Sequence, residues 1–272
     1  MIERIHTTLY GDIHYFVNIL DEKEDTLVFL PGLTADHNLF EKQIAYFEGK
    51  CNVFTWDAPA HGLSRPFRLE YSFADKAVWL KEIFEKENIE KPIIVGQSMG
   101  GYNAQMFSEL YPKELKGFIS IDSAPMQKKL VSNMDILFMK HTEPVYRMFS
   151  WKSLLKAGSK GVATTEYGQK NMYEMMLVYN DNPDEYYKLI SYEYRLLAEA
   201  IEKDLPYELN CKSLLICGKK DQAGYTRKYN RKWHEATGIP IRWIENAGHN
   251  SNADKPEEIN HIIEEFTFGD KR

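Results

Sequence analysis

The sequence predicts an α/β fold, a mostly parallel twisted sheet with helices on both faces, and three observations predict it. Strand-like and helical apolar patterns alternate along most of the chain, an order that sets successive strands side by side in parallel with helices packed over them. A glycine-framed serine, Gly96-Gln97-Ser98-Met99-Gly100, stands between an apolar run and a helical pattern. At 272 residues with 43% hydrophobic content, the chain is long enough to bury a large core as one unit.

The elements follow in order. Strands at residues 3–10 and 12–20 meet at Gly11 and should pair antiparallel. A buried strand at 27–30 runs into Pro31-Gly32-Leu33, a helix follows near 39–47, and a strand near 52–56 comes next. Ser72-Phe73-Ala74-Asp75 opens a helix as a capping box. Pro92 introduces the branched run Ile93-Ile94-Val95, and beyond the glycine-framed turn Met99, Tyr102, Met106 and Leu110 share a helix face until Tyr111-Pro112 ends it. Phe118-Ile119-Ser120-Ile121 is a strand closed by Asp122. The alternation then breaks. From Asp122 to Ser213 only helical spacings occur, such as Met172, Met175, Met176 and Tyr179, followed by Tyr186, Leu189, Ile190, Tyr194, Leu197 and Ile201. It resumes with a strand at 213–218 before Lys219-Lys220-Asp221, and another at 239–244 before Glu245-Asn246-Ala247-Gly248-His249. The last helix carries an apolar stripe of Ile259, Ile262, Ile263 and Phe266.

The glycine-framed serine has a physical reading. A sharp turn from strand to helix lifts a serine oxygen clear of the sheet, and a Cβ at either flanking position would collide with neighbouring backbone. The bare pattern also arises by chance as a small-residue turn; the strand before it and the helix after it favour the nucleophile. Serine alone attacks poorly, so it needs a base to take its proton and an acid to orient that base.

Four landmarks occur together and in sequence: Pro31-Gly32-Leu33, Asp57-Ala58-Pro59-Ala60-His61-Gly62-Leu63-Ser64, the turn at Ser98, and the loops bearing Asp221 and His249. In this the chain resembles the serine α/β-hydrolases over nearly its whole length. The resemblance implies a hydrolase core at residues 1–123 and 206–272, with a helical cap at 124–205 inserted after the sixth strand. It implies Ser98 as nucleophile and His249 as the base, whose ordinary pKa near 6.5 suits a proton carrier at neutral pH. His6 and His14 lie in the first strands, and His141, His234 and His261 in helical stretches, where they compete poorly. For the acid, Gly-Lys-Lys-Asp points to Asp221, the commoner arrangement. Some members take the acid from the earlier strand, so Asp122 is the alternative; otherwise it serves as an acceptor for loop amides.

One oxyanion donor is the backbone N–H after the nucleophile, here Met99. The second maps to Leu33, in a chain that has Pro-Gly where many relatives carry His-Gly. The 57–64 loop matches D-x-P-G-H-G-x-S with Ala60 in place of a glycine, and Asp57, His61 and Ser64 are read as structural. His37 is read as a solvated histidine at the border of the pocket.

Composition narrows the rest. A net charge of −6 without a concentrated Lys/Arg tract argues against nucleic acid or an anionic membrane as partner. No apolar stretch approaches the roughly 18 residues of a bilayer span, and the first residues lack a signal-peptide core, so a cytoplasmic protein is expected. Cys51, Cys211 and Cys217 have no metal-ligand spacing and are read as reduced core thiols. Seven of the ten methionines fall between Met126 and Met176, an adaptable apolar surface for an acyl or alcohol group, although such a stripe also suits simple packing. The expected chemistry is cleavage of a small carboxylic ester, thioester or lactone through an acyl-serine, with a small-molecule substrate that has an apolar portion and no cofactor or metal. Cleavage of a C–C bond or elimination by the same triad, and a ligand receptor built on this fold, are the alternatives; a serine at the elbow excludes the dehalogenase branch.

Overall fold

The computed structural model describes residues 1–19 and 25–269. Its eight strands form a single sheet: β1 (Ile2–Thr7), β2 (Asp12–Asn18), β3 (Thr26–Leu30), β4 (Asn52–Trp56), β5 (Ile93–Gln97), β6 (Gly117–Ile121), β7 (Lys212–Gly218) and β8 (Ile241–Ile244), in the order β1-β2-β4-β3-β5-β6-β7-β8. β1 and β2 pair antiparallel through Ile2↔Val17 to Thr7↔Asp12, and β2 lies antiparallel on β4. Every other pairing is parallel. The mostly parallel sheet expected from the alternating pattern is thus present. The predicted first strand is shorter at its end, because Thr8 turns back onto Gly11; the predicted end of the second, Leu20, lies outside the described residues, as do residues 270–272.

The helices are α1 (Glu41–Phe47), α2 (Phe73–Lys86), α3 (Met99–Leu110), α4 (Asn133–Lys140), α5 (Thr142–Arg147), α6 (Trp151–Gly161), α7 (Glu166–Met176), α8 (Pro183–Glu202), α9 (Thr226–Thr237), α10 (Ser251–Asp254) and α11 (Pro256–Phe268). The helix expected near 39–47 begins with a 3-10 turn, His37–Phe40, before α1 takes over. The capping box at α2 is formed: Ser72 and Asp75 each accept from the other's backbone N–H.

Successive residues of a strand point to opposite faces, and the central strands are apolar on both. Val28, Leu30, Ile94 and Phe118 face a core closed by α2, α3 and α9, whereas Leu27, Phe29, Val95 and Ile119 face one closed by α1 and α11. Between β6 and β7 the chain makes five helices, α4 to α8, and no strand. α8 enters both cores, with Tyr186, Leu189 and Ile190 in one and Leu196, Leu197 and Ile201 in the other. It is fastened by a buried ion pair, Lys76 Nζ to Glu193 Oε2 at 2.5 Å, with side chains 1% and 0% exposed, and by a hydrogen bond from the Tyr71 hydroxyl to Glu193. No helix among the described residues is long and apolar enough to cross a membrane.

Candidate active site

Parallel strands end on one edge of the sheet, and the loops there gather side chains from distant parts of the chain. Ser98 stands at the turn between β5 and α3 with φ 48° and ψ −115°, in the left-handed region a non-glycine residue rarely adopts. The turn is possible because its flanks carry no Cβ. One added to Gly96 would lie 2.6 Å from the Gly100 backbone, and one added to Gly100 would lie 1.9 Å from the Leu30 carbonyl oxygen. The Ser98 amide donates to Ile121 O of β6 at 2.9 Å and the Ser123 hydroxyl donates to Ser98 O at 2.7 Å, so the strained residue is held from both sides.

The sequence-predicted residues meet here. His249 Nε2 lies 2.8 Å from Ser98 Oγ, and His249 Nδ1 lies 2.9 Å from Asp221 Oδ2. With the ring proton on Nδ1, the imidazole donates to the carboxylate and presents a lone pair to the serine hydroxyl. Asp221 has no exposed side-chain surface, and its other oxygen accepts from the Ala223 amide at 2.7 Å. Burial alone lowers the pKa of His249, but the charge of Asp221, its hydrogen bond and the charge of Asp122 outweigh it, and the net shift is upward.

Asp122 is placed otherwise. Its Oδ1 accepts from the Gly218 amide at 2.7 Å and its Oδ2 from the Ser251 amide at 3.0 Å, so it ties the end of β7 to the segment just after His249. This is the amide-binding alternative expected for it. Burial, and then the charge of Asp221, push its carboxyl up to about 7.

Gln97 was given no role by its sequence position. It is 1% exposed, and its Nε2 donates to His249 O at 2.8 Å and to Asn250 Oδ1 at 3.3 Å, pinning the histidine loop to the elbow. The only signal in the sequence was a polar residue at the end of an apolar strand.

Leu33 and Met99 line the same cavity as Ser98 and His249, a space of about 310 Å³. Met99 is the first residue of α3, so its amide has no intrahelical acceptor. The cavity is walled by side chains of α4, α8 and α9, among them Phe138, Tyr194, Leu197 and Tyr229, and Met139 is the cavity's contribution from the methionine-rich stretch. Met172, Met175 and Met176 instead pack in the core under α1 and α11, so for them the packing reading holds.

His37 is not merely solvated. Its Nδ1 lies 2.7 Å from Asp57 Oδ1, its ring lies tilted by 34° against that of Phe16 with centroids 4.0 Å apart, and it borders a separate cavity of about 560 Å³ rather than the one at Ser98. Asp57 and Ser64 are structural as expected: Asp57 also accepts from the Leu63 amide at 2.7 Å, and Ser64 Oγ donates to Asp57 O at 2.7 Å. His61 is buried and bonded to Pro59 O. Among the described residues two groups of side chains, Asp36 with His37 and Asp57, and Asp122 with Cys217 and Asp221, come close enough to ligate an ion; Asp36 Oδ1 accepts from the Asn38 amide, Asp57 Oδ1 from the amide of His37, Asp122 from the Gly218 amide, and Asp221 Oδ2 meets His249.

A strand–elbow–helix serine after β5, a carboxylate after β7 and an imidazole after β8 define a class of protein, and comparison with known families agrees. The family model described as the alpha/beta hydrolase fold matches residues 25–256. The chain belongs to that family. Over 111 residues, 41% of this chain and 41% of the relative, it is 28% identical to the pimeloyl-(acyl-carrier protein) methyl ester esterase of Wigglesworthia glossinidia brevipalpis; the match thus spans less than half of that protein's length. Among solved structures it is similar to wild-type Cfl2 from Burkholderia cenocepacia, with a TM-score of 0.80, 14% identity and coverage of 97% and 95% of the two chains. The enol-lactonase from Burkholderia xenovorans superposes with a TM-score of 0.73 at 18% identity, covering 97% and 99%. At these identities the structural likenesses establish the fold alone.

Proposed function

We propose that the protein is a serine hydrolase that cleaves a small carboxylic ester, or a thioester or lactone, through an acyl-serine intermediate. The observation that carries this reading is the continuous row Ser98 Oγ, His249 Nε2, His249 Nδ1, Asp221 Oδ2 with links of 2.8 and 2.9 Å, opening on a cavity. Ser98 Oγ attacks the substrate carbonyl while its proton passes to His249 Nε2. The negative charge that develops on the carbonyl oxygen is met by the amides of Met99 and Leu33. The tetrahedral intermediate collapses, the C–O bond to the alcohol breaks, and the imidazolium returns the proton to the leaving oxygen. Water then adds to the acyl-serine with His249 again as base, releasing the acid and restoring Ser98. Asp221 holds the ring with its proton on Nδ1 and stabilises the imidazolium. The scheme calls on no cofactor.

The helices between β6 and β7 fit a cap at 124–205 over a core at 1–123 and 206–272, since α4 and α8 supply walls of the cavity. An apolar acyl or alcohol portion suits that lining. Cys51, Cys211 and Cys217 form no disulfide among the described residues, which suits a cytoplasmic setting. Names of the similar proteins, an ester esterase and an enol-lactonase, support hydrolysis of a carboxylic ester or lactone. The test is a panel of nitrophenyl esters of increasing chain length alongside a fluorophosphonate probe. Turnover and labelling are expected in the wild type, and both should vanish in Ser98→Ala. A Ser98→Ala protein that keeps its turnover refutes the reading, and ligand-dependent thermal stabilisation without turnover would favour a receptor.

A further inference from the structure

The lining of the Ser98 cavity has a charge pattern that catalysis does not require. No lysine or arginine among the described residues lines it, while three carboxylates stand in or beside it: Asp122, Asp135 and Asp221. Two of these have their charge met. Asp122 accepts from two amides, and Asp221 accepts from His249 and an amide. Asp135, on the first turn of α4, accepts from the Tyr229 hydroxyl, a neutral donor, and among the described residues no cationic side chain forms an ion pair with it. The cavity wall is aromatic, with Tyr102, Phe138, Tyr146 and Tyr194, while the ring of Tyr225 already carries Lys228 Nζ at 5.2 Å from its centroid. The faces of such rings are electron-rich and attract cations. A second negative charge brought into this cavity meets like charge, screened in part where Phe138 and Tyr225 leave the wall open to water. A positive one meets a carboxylate and ring faces.

We propose that this cavity selects its substrate by charge, accepting a neutral or cationic group beside the scissile carbonyl and rejecting a carboxylate, with Asp135 as the residue that sets the preference. The proposal rests on the reading of Ser98 as the nucleophile. Discrimination here works by repulsion as much as by attraction.

The test uses three nitrophenyl esters of similar length: butanoate, the half-ester of glutarate, and 4-(trimethylammonio)butanoate. The wild type is expected to hydrolyse the neutral and cationic esters with kcat/KM about 100-fold above the anionic one. In Asp135→Asn, which keeps an acceptor for Tyr229, the gap between cationic and anionic esters should close by about tenfold while the neutral ester changes little. Tyr229→Phe removes the hydrogen bond and keeps the charge, so it should leave the charge ratio in place. Calorimetric binding of butyltrimethylammonium against butanoate to wild-type protein reads the same preference without catalysis. An anionic ester hydrolysed within about threefold of the neutral one, a charge ratio that Asp135→Asn leaves intact, or butanoate binding as tightly as the ammonium would each overturn the proposal. Failure of the nucleophile reading is distinguishable, because then no ester turns over while the binding preference still stands.

Discussion

Among the described residues two histidine–aspartate pairs have nearly the same construction, and only one of them lies against a serine hydroxyl. In each, a fully buried aspartate just past the end of a parallel strand, β4 or β7, bonds the Nδ1 of a less buried histidine: Asp57 to His37 at 2.7 Å, Asp221 to His249 at 2.9 Å. At the far nitrogen they part. His249 meets the hydroxyl of Ser98 at the mouth of a cavity, with its own backbone pinned to the elbow by Gln97. His37 lays its ring on Phe16, and its aspartate spends its remaining capacity on the amides of His37 and Leu63. Both histidines have their pKa raised against the lowering effect of burial, each by its own aspartate. A perturbed histidine is therefore insufficient to mark a site. A His–Asp pair orients an imidazole, and chemistry follows only where a nucleophile, an oxyanion site and room for substrate share that orientation.

The comparison can be broken at its strongest point. Ser98→Ala should lower kcat by about a millionfold, down to the background that binding and oxyanion donors alone provide, in an ester assay with unchanged circular dichroism. Asp221→Asn should cost about 10⁴-fold in kcat, because the amide nitrogen can stabilise the wrong tautomer of His249, whereas Asp57→Asn should leave kcat within about threefold. A comparable loss in both asparagine variants would erase the distinction drawn between the pairs.

A smaller effect concerns Asp122, which ties both loops and adds negative charge beside His249. Asp122→Asn should reduce kcat by about 10- to 100-fold as the loops loosen. It should also shift the acid limb of kcat/KM downward. The sign follows from the base: only neutral imidazole accepts the Ser98 proton, so activity falls as pH drops through a His249 pKa held above 6.5, and removing Asp122, which is an anion only above about pH 7, lowers that pKa to the extent that the carboxyl is ionised there. An acid limb that stays in place would show that Asp122 acts through packing alone.

The smallest effect belongs to the pair His37 and Asp57. Since the folded-state pKa of His37 is raised, its protonated form contributes stability that is fully present below the unfolded pKa near 6.5 and is lost as pH rises through the folded value. The melting temperature of His37→Ala should fall short of the wild type by about 2–4 °C at pH 6, and by less at pH 9, with kcat little changed. A gap that widens with pH would contradict the assigned sign.

Much of this was legible beforehand, for reasons tied to particular residues. Gly96 and Gly100 announce a close approach of backbones, and Ile93 to Val95 a strand buried on both faces, so the elbow could be read from adjacent positions. Asp221 and His249 each follow a strand run directly, which put them on the same edge of the sheet. His37 was harder: the partner that takes it out of solvent, Asp57, is twenty residues on, and Phe16 comes from an antiparallel strand. Asp135 was invisible as a cavity group, since its position in a short helix marks only a first-turn acid. Lys76 would pass for a solvated charge on α2, and Glu193 for its counterpart on α8, until the two helices meet.

By itself the sequence determined the order of strands and helices, the sharp turn at Ser98 and the strand ends from which Asp221 and His249 project, because these depend on local sterics and on apolar periodicity within a few residues. The tertiary structure alone decided which aspartate faces which imidazole, which histidine meets a hydroxyl, and what lines the cavity. Those are differences of an ångström or two between groups up to 151 residues apart, set by how helices and loops pack on a finished sheet, and no local pattern encodes them.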